Sequence, residues 1–324
     1  MKLNVVSLRA CGIGLALAAA CAGQPRPESP VPQTPALVSP APQVDRTAPA
    51  VPELKNATYR GVEEAASAIT LTDGRWEGAP FEPGAGSRPS VTFVRDFRLA
   101  GDLDGDGAEE AVVLLAANAG GSGETSYLAV VGRRGGKPGN VGTARIGDRV
   151  QVRDARISGR RIVLDVVQAG RDDAACCPGD LVTRSWELAG GALREDAPMR
   201  TGRLSLDALA GSEWVLKSWT WDEAAPVSPE VTLKLDGTRL AGSAGCNNYF
   251  APAQPGSSPG GLTIGPAGAT RMMCTEAAMA VETRFLQQLG GVIQLQFIAG
   301  QLALSYTKPD GPIGVMLFDR RPAR

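Results

Sequence analysis

The chain has 324 residues, 33 of them basic and 34 acidic, for a formal net charge of −1, so it carries no overall field that would draw in nucleic acid. Its 43% hydrophobic and 21% charged content is that of ordinary globular domains, and the length suffices for two. Histidine is absent, which removes Ser–His and Cys–His nucleophilic pairs, imidazole proton shuttles and every His-ligated zinc or iron site.

Lys2 and Arg9 precede an apolar run from Cys11 to Ala20. This is a charged region followed by a hydrophobic region of signal-peptide length, too short for a comfortable membrane-spanning helix. Ala18, Ala19 and Ala20 lead into Cys21. The junction resembles a lipobox, where bacterial lipoproteins are diacylated on cysteine and cleaved just before it. It departs from that pattern in having Ala18 where Leu is usual, with Leu17 one position further away. The expectation is a signal peptide over residues 1–20 and a lipid anchor on Cys21, two acyl chains giving stable membrane attachment where one is marginal. The alternative is an ordinary signal peptide beside an incidental cysteine. Ala22 after the cysteine, rather than Asp, implies sorting to the outer membrane, facing the periplasm or the cell surface.

Residues 21–57 are dominated by Pro, Ala, Ser and Gln, with Pro25, Pro27, Pro30, Pro32, Pro35, Pro40, Pro42, Pro49 and Pro52. No apolar period survives, so this reads as a disordered tether, about 100 Å long if fully extended.

Residues 58–198 read as a β-rich domain. A helix is expected over Gly61–Ile69, followed by strands at Val91–Leu99, Glu110–Ala116, Tyr127–Val131, Arg149–Arg153 and Arg161–Val167, separated by Gly-rich turns. Between the first two strands lie Asp102, Asp104, Asp106, Gly107, Ala108 and Glu110. Carboxylates at alternating positions, a glycine for the sharp turn, the carbonyl of Ala108 and the carboxylate of Glu110 make a candidate oxygen cage for structural calcium. The loop resembles those of FG-GAP-type and dockerin-type repeats. It departs from the EF-hand pattern, whose twelfth position is here Val113. The alternative is an acidic hairpin turn that binds no metal. The Gly120–Gly123 stretch lacks the Lys of a phosphate-binding loop. Cys176 and Cys177 are adjacent. They can form a vicinal disulfide, stay reduced or bind a soft metal, and with no second cysteine cluster the metal signal is weak.

Residues 205–322 alternate strand patterns with Asp-Gly and Ala-Gly turns, the pattern of a β meander. Trp214 and Leu216 come early, then Gly245, Cys246 and Asn247, then Thr270, Met272 and Cys274, then Gly300, Leu302 and Leu304. From Thr275 to Leu289, the residues Ala278, Val281, Phe285 and Leu289 recur at helical spacing, with Thr275 as N-cap and Gly290-Gly291 as the stop. In order and kind these segments resemble the META, or HslJ-like, domain. The resemblance implies an antiparallel β meander or barrel with one packed helix, a link to heat or antibiotic tolerance in secreted or lipoprotein contexts, and no enzymatic activity. The expected fold class is therefore mainly β, in two β-rich domains.

Of six cysteines, Cys11 leaves with the signal peptide and Cys21 takes the lipid. The remaining four suit an oxidising compartment. Three pairings exist. Cys246–Cys274 within one domain is favoured, leaving Cys176 and Cys177 as a vicinal pair, and two cross-domain bridges are the alternative. A catalytic Cys246 would lack a His base. No catalytic residues are identified. The function read from the chain is a non-enzymatic envelope lipoprotein with a stress-tolerance or surface-protection role. The alternative is a binding or inhibitor module for a secreted enzyme or small ligand, and the partners are the membrane and an unidentified envelope protein or ligand.

Overall fold

The computed structural model describes residues 45–321 apart from 85, 175 and 310. Cys21, the expected signal peptide and residues 21–44 of the expected tether lie outside the described residues. The protein is mainly β.

Its N-terminal half is organised around one strand whose sequence barely alternates. β1 (Thr58–Tyr59) and β2 (Ile69–Thr70) form a small ribbon. β3 (Arg75–Glu77), β4 (Ser90–Phe93), β5 (Leu99–Gly101), β6 (Glu110–Asn118), β7 (Thr125–Arg134) and β8 (Lys137–Asp148) form an antiparallel sheet in the order β3-β4-β6-β7-β8, with β5 also paired to β6. β9 (Gln151–Ser158), β10 (Arg161–Gln168), β11 (Asp180–Ala189), β12 (Ala192–Glu195) and β13 (Met199–Arg203) form a second sheet, in the order β12-β11-β10-β9 with β13 beside β11. The run Ala111–Leu115 is buried throughout because β6 is covered on both faces. Ala111, Val113 and Leu115 pack with Leu54, Tyr59 and Ile69. Val112 and Leu114 pack with Val152, Ile162, Leu164 and Trp186 of the second sheet.

The C-terminal half comprises β14 (Glu213–Ser218), β15 (Thr232–Asp236), β16 (Arg239–Ser243), β17 (Asn248–Pro255), β18 (Leu262–Ile264), β19 (Gly268–Ala269), a helix (Glu276–Gly290), β20 (Val292–Ile298), β21 (Gln301–Thr307) and β22 (Ile313–Arg321). The strands run in the order β18-β17-β16-β15-β14-β22-β21-β20, with β19 beside β17. The two ends of this order meet where Gly261 bridges Gln294 and the Leu295 N–H donates to the Gly260 carbonyl at 2.7 Å, so the sheet is a near-closed barrel. Alternate residues fill its interior: Trp214 and Leu216, Tyr249 and Ala251, Leu295 and Phe297, Leu302 and Leu304, Met316 and Phe318. The helix plugs one side with Phe285 and Leu289. Thr275 caps its start by accepting the Ala278 N–H, and Gly291 ends it.

Three expectations are corrected. The segment Gly61–Ile69 is not a helix but a series of turns ending in β2. Gly61 takes φ +77°, and the Tyr127 hydroxyl holds the segment by accepting the Glu63 N–H and donating to Glu64. Val62 and Ile69 are buried all the same, so the apolar spacing marks contact with the sheet rather than helical wind. The stretch Val91–Leu99 is two strands, broken where Asp96 takes φ +61°, and β4 and β5 follow each other along one edge of β6. The expected tether ends early: residues 45–57 are docked, with Ala48, Leu54 and Ala57 buried and a short helix at Val51–Leu54. Arg133 grips this segment through Glu53, at 2.8 and 2.9 Å, and the Thr47 carbonyl at 3.0 Å, and Arg98 donates to the Pro49 carbonyl.

The two halves share a seam. Val167, Leu181 and Leu204 belong to the apolar cluster of the barrel. The Gly300 N–H at the β20–β21 turn donates to the Val152 carbonyl at 2.9 Å, and the Phe297 N–H donates to Gln151 Oε1 at 3.0 Å.

Candidate functional site

The acidic loop between β5 and β6 folds by its own side chains. Asp102 accepts the Gly105 and Gly107 N–H groups, Asp104 accepts that of Asp106, and Asp106 accepts that of Ala108. Gly105 and Gly107 take φ +87° and +83°, which only glycine adopts without strain. This winding brings carboxylate oxygens of Asp102, Asp104 and Asp106 within 4.8 Å of one another. Each carboxylate keeps unused acceptor capacity, so these three fit a hard cation by donor type. Glu110 does not join them. It is 4% exposed and turns inward to accept the Leu103 N–H at 2.9 Å. Burial pushes its carboxyl up, and the Asp104, Asp106 and Asp102 charges add to that.

Cys176 and Cys177 are bonded to each other in the loop between β10 and β11. Asp173 organises that loop by accepting the Gly170 and Gly179 N–H groups at 2.7 and 2.8 Å and two bonds from Arg203. Arg203 holds the Asp173 carboxyl below the usual carboxylate range.

In the barrel, Cys246 and Cys274 are disulfide-bonded with Cα atoms 5.8 Å apart. Beside them Asn247, 5% exposed, has every polar group engaged. Its N–H and Nδ2 donate to Glu282 on the helix at 2.8 and 3.0 Å, and its Oδ1 accepts Thr270 Oγ1 and the Met272 N–H, both at 2.7 Å. The two sequence segments 245–247 and 270–274 therefore meet, and Glu282 joins them from the helix. Glu282 falls inside the helix expected from Thr275 to Leu289, but the apolar spacing that marks the helix gives it no role. Nothing in a single sequence pairs a helical carboxylate with an asparagine 35 positions away.

Two clefts follow the seam, and neither is signalled in the sequence. The larger, of about 680 Å³, lies between β3–β4 and β14, and several of its charges are already paired, Lys217 with Asp96 at 3.2 Å and Lys55 with Asp73 at 3.8 Å. The smaller, of about 430 Å³, is walled by Leu114, Val150 and Phe297, with Glu124, Arg149 and Trp221 at its polar and aromatic positions and Cys176 among its lining. Trp221 borders both clefts and is 51% exposed. Arg149 is tied to Asp148 at 2.6 Å and to the Ser122 carbonyl. The Glu124 carboxylate has no hydrogen bond or ion pair among the described residues. Partial desolvation of the carboxylate, with Asp148 nearby, pushes it up, although the residue as a whole is exposed.

Comparison with protein-family models matches the META domain to residues 207–313. Among solved structures, the chain is similar to the NMR structure of a protein from Burkholderia xenovorans, with 26% identity over 36% of this chain and 86% of that one and a TM-score of 0.29. It is also similar to a second protein solved by NMR, with 19% identity over 36% of this chain and 94% of that one and a TM-score of 0.29. No curated protein matches the chain.

Proposed function

Taking residues 207–313 as a META domain, we propose that the protein is a non-enzymatic lipoprotein of the bacterial envelope. Export over residues 1–20 and acylation of Cys21 hold it to the outer membrane, and it acts in stress tolerance or surface protection. The observation that carries the reading is the spending of the motif's reactive groups on structure. Cys246 is bonded to Cys274, and Asn247 is saturated by Glu282, Thr270 and Met272. What could have been a nucleophile and its polar neighbour form a brace instead. Two cysteine pairs in one chain also suit the oxidising side of the inner membrane. Within this reading the Asp102, Asp104 and Asp106 loop seats a calcium ion that staples the turn. Mass spectrometry of the native chain tests the anchor: a diacylated Cys21 at the amino terminus is expected, and an intact unlipidated Met1 terminus overturns it. A deletion strain tests the role, and unchanged heat and drug sensitivity counts against it.

The smaller cleft favours a second reading, a binding module for a secreted enzyme or a small ligand. A pull-down from envelope extract addresses the enzyme partner, and ligand titration addresses the small molecule.

A further inference from the structure

We propose that the 430 Å³ groove at the seam of the two halves is a binding site for a small organic cation carrying an apolar body, an alkylammonium or quaternary ammonium compound. The inference rests on the binding-module reading and deepens it.

Charge decides the ligand class. Two ionisable side chains line the groove, Glu124 and Arg149. Arg149 is neutralised by Asp148 at 2.6 Å, and the Glu124 carboxylate has no partner among the described residues. The groove therefore carries one uncompensated negative charge. An unpaired carboxylate on an exposed residue lining the groove has no protein partner to give up, so a cation entering beside it gains a Coulombic contact, modest in size because water screens it.

The rest of the lining selects the kind of cation. A bare metal ion would need several converging oxygens, and the groove offers one carboxylate. Its walls include Leu114, Val150 and Phe297, which suit methylene or methyl groups. Trp221 adds an exposed indole, the aromatic face that attracts cations most strongly. A volume of about 430 Å³ falls in the range of small-molecule sites. The larger cleft lacks this asymmetry, since it pairs Lys217 with Asp96 and Lys55 with Asp73. Position adds a further argument. The walls come from both halves, β6 and the 149–152 turn on one side and β20 with Trp221 on the other, so the site exists only when the halves are joined.

The test is calorimetric and fluorescence titration of the full chain, at low salt, with four probes of similar size. Choline and butylammonium are cations, dimethylbutanol is the uncharged carbon isostere of choline, and butyrate is an anion. Saturable binding of both cations is expected, with a change in indole emission that disappears in Trp221→Phe. Dimethylbutanol and butyrate should bind at least about tenfold more weakly, and Glu124→Gln should cost choline about tenfold with an unchanged melting temperature. If dimethylbutanol matches choline, or Glu124→Gln binds choline like the wild type, the cation inference is overturned while the binding-module reading stands. If none of the four probes binds, the inference falls, and the pull-down alone judges the module.

Discussion

Glu282 accepts two hydrogen bonds from Asn247, one from its backbone N–H at 2.8 Å and one from its side-chain Nδ2 at 3.0 Å. This fork ties the single long helix of the barrel to the strand-end that carries the disulfide. It explains why a Gly-Cys-Asn segment and a Thr-x-Met-x-Cys segment belong together: one supplies the asparagine, and the other supplies a hydroxyl and an N–H for the asparagine's carbonyl.

Asn247→Ala should therefore destabilise the barrel by about 3 kcal/mol, because it leaves the Met272 N–H and the Glu282 carboxylate short of partners in a part-buried site. Glu282→Ala should cost less, and the double variant should cost clearly less than the sum of the two. Chemical denaturation measures all three. Additive costs would show that the fork is not a coupled unit.

Removing the Cys246–Cys274 bond with a double Cys→Ser change should cost roughly 3–4 kcal/mol, the chain-entropy contribution expected for a loop of this length. The same change at Cys176 and Cys177 closes almost no loop and should move the melting temperature little. Calorimetry of the two double variants under non-reducing conditions checks the contrast, and equal losses would contradict it.

The acidic loop should bind calcium weakly, and Asp104→Ala should abolish that binding because it removes one of the three converging carboxylates. Titration calorimetry reads both. Calcium binding that survives the substitution would show that the ion sits elsewhere.

Glu110 makes the fold less stable as pH rises. Burial first, then the three aspartates, raise its folded-state value above the ordinary glutamate value. A carboxyl raised on folding favours the folded state while protonated and loses that advantage as pH rises through its folded value. In chelator, Glu110→Gln should melt higher than the wild type at neutral pH, and the gap should close below the ordinary glutamate range. The Gln side chain can still accept the Leu103 N–H. A variant that melts lower than the wild type at neutral pH would refute the cost assigned to this carboxylate.

Much of the barrel was legible because its signals are local. The helix from Thr275 to Gly291 announced itself through a capping threonine, an apolar stripe and a glycine stop. The late Gly300, Leu302, Leu304 pattern likewise reads as a strand, and both leucines are buried in the barrel. What failed was tertiary. Val62 and Ile69 sit at helical spacing, yet a tyrosine hydroxyl from β7 and a left-handed Gly61 hold the segment in turns. β8, rich in glycine and short of large apolar residues, carries no strand signal of its own and is held by the full length of β7. The docking of residues 45–57 was hidden because Pro-rich composition reads as tether, while the arginines that clamp it stand at 98 and 133. The acidic loop was visible as a pattern, but the inward turn of Glu110 was not, since its partner is a backbone N–H. The seam clefts join residues far apart along the chain, Leu114 with Phe297 and Glu124 with Trp221 among them, and no short window of sequence contains them.

The sharing of Val167, Leu181 and Leu204 with the barrel interior has a practical reach. Cutting the chain near position 204 would strip the C-terminal barrel of side chains that complete its own filling and leave a greasy scar on each fragment. Excised pieces should be sticky and poorly behaved, whereas the uncut polypeptide should come apart in a single cooperative step. The described residues should then unfold thermodynamically as one object.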